Sequence, residues 1–276
     1  MPWHAKLDLD YCVESDKTVA RHTHIGPLRI LQSLYPEGNA VCHNVLVHPP
    51  GGLVGGDALD LNIHVSAGAH GLVTTPGATR FYRSDGELAM QRTQIALAEN
   101  ARFEWLPMEG ICYSGCLAEN RLSMSLANGA ELLGWDITAL GLPAADKPFD
   151  KGCFSQHIEV PGVWLERARI KAADALLMNS PLGLGGNCCL ATLFFASGSG
   201  LKRSQIQSAL DVARAVIDGH PLCASAGATS PDRQVIVVRA LAPIVEPATN
   251  LLRQVRAAWR QHFWAIGPSA PRVWST

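Results

Sequence analysis

The sequence predicts a mainly β protein that ends in two α-helices, and three observations carry that reading. From the start to about residue 170, short segments alternate apolar and polar residues with a period of two, as half-buried strands do. Gly, Pro, Asn and Ser punctuate these segments at short, fairly regular intervals, which favours an all-β architecture over alternating βαβ units. Helical periodicity enters only after residue 200.

In chain order, Lys6-Leu7-Asp8-Leu9-Asp10-Tyr11 alternates as a first strand, and Asn44-Val45-Leu46-Val47 is a short apolar run. That run leads into His48-Pro-Pro-Gly-Gly-Leu-Val-Gly-Gly-Asp57, with four glycines and two prolines in ten residues. Proline fixes φ and donates no backbone hydrogen bond, while glycine opens the φ > 0 region, so the stretch is a shaped loop that turns sharply twice. Residues 59–65 then alternate strictly as a strand. A second loop follows at Thr74-Thr-Pro-Gly-Ala-Thr-Arg-Phe-Tyr-Arg-Ser84. The two loops, held by strands, are expected to form the working surface.

Further strands are expected at 69–75, 89–97, 102–106, 121–126 and 131–138. Pro161-Gly162 suits a type II turn and joins residues 157–160 to 163–166 as a hairpin. Ser204 is positioned to cap a helix whose apolar stripe is Ile206, Leu210, Ala213 and Ile217, stopped by Gly219. Residues 234–241 form one more strand. A last helix starts near Pro247, a good first-turn residue, and turns Leu251, Leu252, Val255, Trp259 and Phe263 inward. Arg253, Arg256 and Arg260 repeat at helical spacing on its other side and read as a solvated basic face. No internal repeat, low-complexity tract or long linker interrupts the chain, so residues 1–276 are read as one domain.

Composition narrows the function. Of the 276 residues, 47% are hydrophobic and 17% charged, a balance that suits a packed core and excludes general disorder. The formal net charge of −1 gives no electrostatic reason to expect nucleic acid or an anionic membrane. The N-terminus has no basic segment followed by an apolar one, so a cytoplasmic protein is expected. Eight cysteines in such a chain read as reduced, mostly buried thiols. Cys112 and Cys116 alone approach metal-ligand spacing, and no second pair completes a zinc site.

The common catalytic signatures are missing. There is no Gly-x-Ser-x-Gly elbow, no Gly-Lys dipeptide for a P-loop and no His-Glu-x-x-His. The run from Gly183 to Cys188 fails the dinucleotide fingerprint at its last position and reads as a turn between strands. Asp57, Glu104, Glu109, Asp136 and Glu166 are scattered through strand regions, which leaves open a β-helical carbohydrate-active enzyme with paired carboxylates. His43, His48, His64 and His70 gather near the first loop beside Cys42. Imidazole and thiolate suit a borderline metal such as nickel, in transient contact rather than a closed four-ligand site.

Several motifs, in order, make the chain resemble the urease accessory protein UreD (UreH) family. They are His48 to Asp57, Thr74 to Ser84, Phe103-Glu-Trp-Leu-Pro107, Gly134-Trp-Asp-Ile137 with Leu140-Gly-Leu-Pro143, and Arg272-Val-Trp-Ser-Thr276. His24-Ile-Gly-Pro-Leu28 and Tyr35-Pro36-Glu37 also fit, so the resemblance spans nearly the whole chain. The chain departs from the family at Met108, where a glutamine often follows the proline.

The resemblance implies a β-superhelix, a β-helix-like array of short strands with two C-terminal helices. It implies a non-catalytic urease maturation factor, part of a metallochaperone complex. Its expected partners are UreF, the GTPase UreG and apo-urease, with neither nucleic acid nor membrane involved. No permanent cofactor is implied, only Ni²⁺ in transit through an internal tunnel. The family's tunnel acids match Asp57 and Glu166, whose plainer roles are a turn brace and an ion-pair partner of Arg167 or Arg169. Sparse carboxylates suit such a path, because they hold a cation loosely while lowering the cost of its desolvation.

Overall fold

A β-strand with one apolar face needs a second apolar face to cover it, and this chain meets that need by coiling. The computed structural model describes residues 2–275. β1 (His4–Glu14) and β2 (Lys17–Ile25) form an antiparallel hairpin, followed by the two-residue β3 (Arg29–Ile30). The chain then makes about four rounds. The first runs through β4 (Val41–Val47), β5 (Gly52–Leu53) and β6 (Ala58–Val65), and the second through β7 (His70–Thr74), β8 (Thr79–Phe81) and β9 (Ala89–Leu97). The third uses β10 (Arg102–Leu106), β11 (Gly110–Cys112) and β12 (Cys116–Leu126), and the fourth β13 (Glu131–Leu140) and β14 (Gly152–Val160). β15 (Trp164–Lys171) folds back antiparallel on β14 across Gly162, whose φ of 79° meets the turn expected there.

Successive rounds stack in parallel. Val41 pairs with His70, His70 with Arg102 and Arg102 with Glu131, so the rounds advance by 29, 32 and 29 residues. The repeat is structural and leaves no readable sequence period. One wall is a seven-stranded sheet ordered β15-β14-β12-β9-β6-β1-β2. The other is built on β13-β10-β7-β4 and extended by three antiparallel strands, β16 (Cys189–Ser197), β17 (Ala226–Asp232) and β18 (Val235–Ala242). The sequence loops at 48–57 and 74–84 are the corners of the first two rounds, and β5 pairs with β8 between them. Gly52 must lack a side chain, since a Cβ there would lie 2.4 Å from Tyr82 Cε2 and 2.8 Å from the Arg80 carbonyl.

Two cores result. Between the sheets lie Leu59, Leu61, Ile63, Ile95, Phe103, Phe154 and Ile158, each from the inward set of an alternating strand. The second wall is apolar on both faces, because α2 (Arg203–Asp218) and α3 (Val245–Trp264) cover its outside. A short α1 (Ala175–Asn179), not anticipated from the sequence, precedes β16. The expected stripe of α2 is buried at Leu210, Ala213 and Ile217. Its start differs: Lys202 is the cap residue, its N–H bonded to Gln205 Oε1 at 2.9 Å, and Ser204 lies inside the helix. Among the described residues, no helix is long and apolar enough to cross a membrane.

The basic face of α3 is the main correction to the sequence reading. Arg256 and Arg260 are 1% and 0% exposed, not solvated. Arg256 Nε donates to Glu104 Oε2 at 2.7 Å, and Arg260 NH2 donates to Glu37 Oε2 at 2.6 Å. Both guanidinia also donate to the Ser269 carbonyl, at 2.9 and 3.0 Å. His43 shares Glu37 at 2.7 Å, and His70 lies 3.5 Å from Glu104. Only Arg253 keeps part of the expected exposure, resting over the Trp274 ring at 4.6 Å. Periodicity shows which residues share a helix face but not that a strand and a turn bring acids to meet them.

Burial alone would raise the Glu104 carboxyl, yet Arg256 foremost, with His70 and Arg260, brings it down to about 2. The folded value lies below the unfolded one, so this contribution is complete above pH 4.5 and fades as pH falls toward 2. Arg256→Met is expected to cost about 3–5 kcal/mol, because it leaves the buried Glu104 carboxylate with only Arg260 and His70, each 3.5 Å away. Denaturant unfolding at neutral pH checks this, and the deficit should shrink in acid.

Candidate functional site

Parallel stacking places residues of equal register side by side, so polar residues at inward positions form rows across the interior. One row of the seven-stranded wall reads Leu59, Gln91, Asn120, Gln156 and Ala168. Its three amides face β13, where Asp136 and Thr138 point inward. Gln91 Nε2 donates to Asn120 Oδ1 at 3.3 Å, and Asn120 Nδ2 donates to Asp136 Oδ2 at 2.6 Å. Gln156 Nε2 donates to Asp136 Oδ1 at 2.6 Å, and Thr138 Oγ1 donates to the same oxygen at 3.3 Å. Two residues along β9 from Gln91, on the same inward face, the buried Thr93 hydroxyl has no partner among the described residues, an atom suited to water.

This hydrogen-bonded line connects two cavities. Gln91 lines the first, about 250 Å³, with His48, Thr75, Arg80 and Trp105. Gln156 lines the second, about 540 Å³, with Glu166, Thr192, Ser225 and Arg239. Glu166 Oε1 accepts from the Thr192 hydroxyl at 3.1 Å, and its Oε2 accepts from Arg239 Nε at 2.8 Å. The ion-pair partner is therefore Arg239 on β18, not Arg167 or Arg169, which alternate to the opposite face of β15. Burial, the largest influence, lifts the Asp136 carboxyl to about 6, and the Glu166 charge adds to the lift against three hydrogen bonds.

Asp57 sits elsewhere. Its Oδ1 accepts from the Trp3 N–H at 2.7 Å and its Oδ2 from the Val54 N–H at 2.9 Å, so it braces the first corner. It leads into β6, four strand spacings from β15, or about 19 Å across the sheet. The two acids therefore form no common site, although Asp57 lies near His48 at the first cavity. Burial chiefly lowers the His48 imidazole, and Asp57 opposes that shift. Cys112 and Cys116 are buried free thiols, and burial above all pushes the Cys112 thiol up. Among the described residues, no three of His, Cys, Asp and Glu gather as a metal cage.

The arrangement can hold a hydrated cation loosely, with oxygen ligands spaced along a narrow interior. It does not suit glycoside cleavage, since Asp136 is enclosed and Glu166 is neutralised by Arg239. Sequence reading had Asp136 only as one acid among several and passed over Gln91, Asn120, Gln156 and Arg239. The available signal was polar residues at inward positions of otherwise apolar alternating strands.

Fold and interior thus define a β-solenoid crossed by a polar line. Comparison with known proteins makes the class specific. The family profile described as "UreD urease accessory protein" matches residues 4–275. The urease accessory protein UreD of Polaromonas sp. (strain JS666 / ATCC BAA-500) is 69% identical over 275 residues, covering all of both chains. Those of Variovorax paradoxus (strain S110) and Methylibium petroleiphilum (strain ATCC BAA-1232 / LMG 22953 / PM1) are 62% and 47% identical, again over all of both chains. The chain belongs to the UreD family of urease accessory proteins, and its role lies in urease maturation.

Asp136 titrates above its ordinary value of 3.8, so its ionisation opposes folding as pH rises from about 4 to 6. Asp136→Asn, which the surrounding amides can accommodate by flipping, should stabilise the chain at neutral pH by up to about 3 kcal/mol. Thermal melts at pH 4 and pH 7.5 check this; the gain should be confined to the higher pH.

Proposed function

We propose that the chain is a non-catalytic scaffold that binds UreF and UreG, docks on apo-urease and passes Ni²⁺ through its interior toward the urease active site. The observation that carries this reading is the hydrogen-bonded line from Gln91 through Asn120 and Asp136 to Gln156, which links the two cavities. At neutral pH most Asp136 carboxyls are ionised, so a divalent ion entering the interior meets a negative charge without a closed cage. Glu166 supplies a second carboxylate, released from Arg239 when a cation competes for it. Asp57 does not line the first cavity, but its charge reaches His48, which does. Family membership supports the maturation role, and the partners follow from what that role requires.

A scaffold that shapes apo-urease without touching metal is favoured by one observation, the complete engagement of Asp57 by backbone amides. The two readings separate in cells carrying the urease operon. Asp136→Asn and Glu166→Gln are expected to lower urease nickel content and activity roughly tenfold or more while the accessory complex still co-purifies. Full nickel content with both substitutions combined would exclude passage through this interior.

A further inference from the structure

The register that aligns the interior amides also aligns the residues that follow them, which point outward. Arg92, Arg121, His157 and Arg167 form one row across β9, β12, β14 and β15. Neighbours in such a row stand about 4.8 Å apart, and like charges directly opposite one another destabilise a sheet. Part of the row is neutralised. Asp60 takes Arg92 at 2.5 and 2.8 Å, and Glu159 takes His157 at 3.0 Å. Arg121, Arg167 and the nearby Arg169 and Lys171 are exposed and have no ion-pair partner among the described residues. Arg169 touches only Cys153 Sγ, at 3.4 Å. Two acids on this face temper it without forming an ion pair with Arg121: Glu159 feels the Arg121 charge, and Glu119 acts on Arg92.

General basicity does not explain the patch, since the chain carries a net charge of −1. Acids instead concentrate at the opposite end of the same face, where Asp8, Asp10 and Asp60 stand on β1 and β6. Protection of a free sheet edge accounts for Arg167, Arg169 and Lys171, because charged residues discourage strand addition there. It does not account for Arg121, two strands in from that edge. The patch also shares β15 with the second cavity: Glu166 and Ala168 line the cavity, while Arg167 and Arg169 face outward.

We propose that the outer face of β12, β14 and β15 is a docking surface for a protein partner with a carboxylate-rich surface, and that docking there brings the partner to the cavity lined by Glu166. This rests on reading the chain as a maturation scaffold, and it adds which face engages and by what chemistry. A flat face of three strands with unpaired guanidinium groups matches the bidentate geometry of carboxylates. Complementary charge of this kind speeds association and sets orientation more than it adds affinity, so its signature is a dependence on salt.

The test uses the full chain co-expressed with apo-urease and the other accessory proteins, comparing wild type with the triple variant Arg121→Glu, Arg167→Glu, Arg169→Glu. Complexes are captured on the chain at salt from about 50 to about 500 mM. Wild type should lose at least one partner progressively as salt rises. The variant should retain that partner roughly tenfold less at the lowest salt, and Arg→Lys at the same positions, which keeps the charge but not the planar fork, should restore only part of it. Retention unchanged by charge reversal, or indifferent to salt in the wild type, overturns the proposal. So does equal, salt-sensitive capture of duplex DNA by the same face. If the triple variant fails to fold, Arg167→Gln and the wild-type salt profile give the same discrimination. The Asp136→Asn chain keeps separate tests apart: it should keep its partners while nickel transfer fails, whereas the charge-reversed chain should lose a partner.

Discussion

Parallel register is the constraint on which the rest of this structure depends. In a coil whose rounds stack at fixed offsets, a residue is placed beside its counterparts in the rounds above and below. One polar residue at an inward position would be a costly defect in an apolar interior. Three in the same row, Gln91, Asn120 and Gln156, can satisfy one another and an acid on the facing wall. The same arithmetic puts Arg92, Arg121 and His157 together on the outside. Inside and outside rows are consecutive residues, so a single register slip would disrupt both.

The two sides of the second wall handle buried charge differently. Outside, under α3, Glu104 and Glu37 meet Arg256 and Arg260 in close ion pairs, and the Glu104 carboxyl is held at about 2. That charge is fixed and serves packing, anchoring the last helix to β10 through Glu104 and to the turn before β4 through Glu37. Inside, Asp136 has neutral hydrogen-bond donors and, among the described residues, no ion-pair partner, and burial lifts its carboxyl to about 6. A carboxylate without a resident counter-ion favours a visiting one. What faces each acid, rather than the acid itself, therefore decides whether its charge is already committed.

Much of this was legible in the sequence. The strands at 59–65, 89–97, 102–106 and 131–138, the Pro161-Gly162 hairpin and the two late helices follow from local patterns that tertiary structure did not override. The glycine loops were identified as shaped turns, and they are corners. What local pattern could not supply was pairing: the 29- to 32-residue advance between rounds leaves no repeated motif. Without it, Gln91, Asn120 and Gln156 looked like three separate polar residues. Arg256 and Arg260 misled for the same reason, since their acids lie 152 and 223 residues away in the chain. Asp57 was singled out through the resemblance, and its local geometry is that of a loop brace.

We propose that the interior conducts nickel, and anomalous scattering at the nickel edge is the first measurement to make. Crystals of the chain equilibrated with Ni²⁺ should show ordered water and partial nickel occupancy along the interior, between the cavity at Gln91 and the cavity at Glu166, with a position on Asp136. Nickel confined to exterior histidines, with an interior free of both water and metal, would contradict the account.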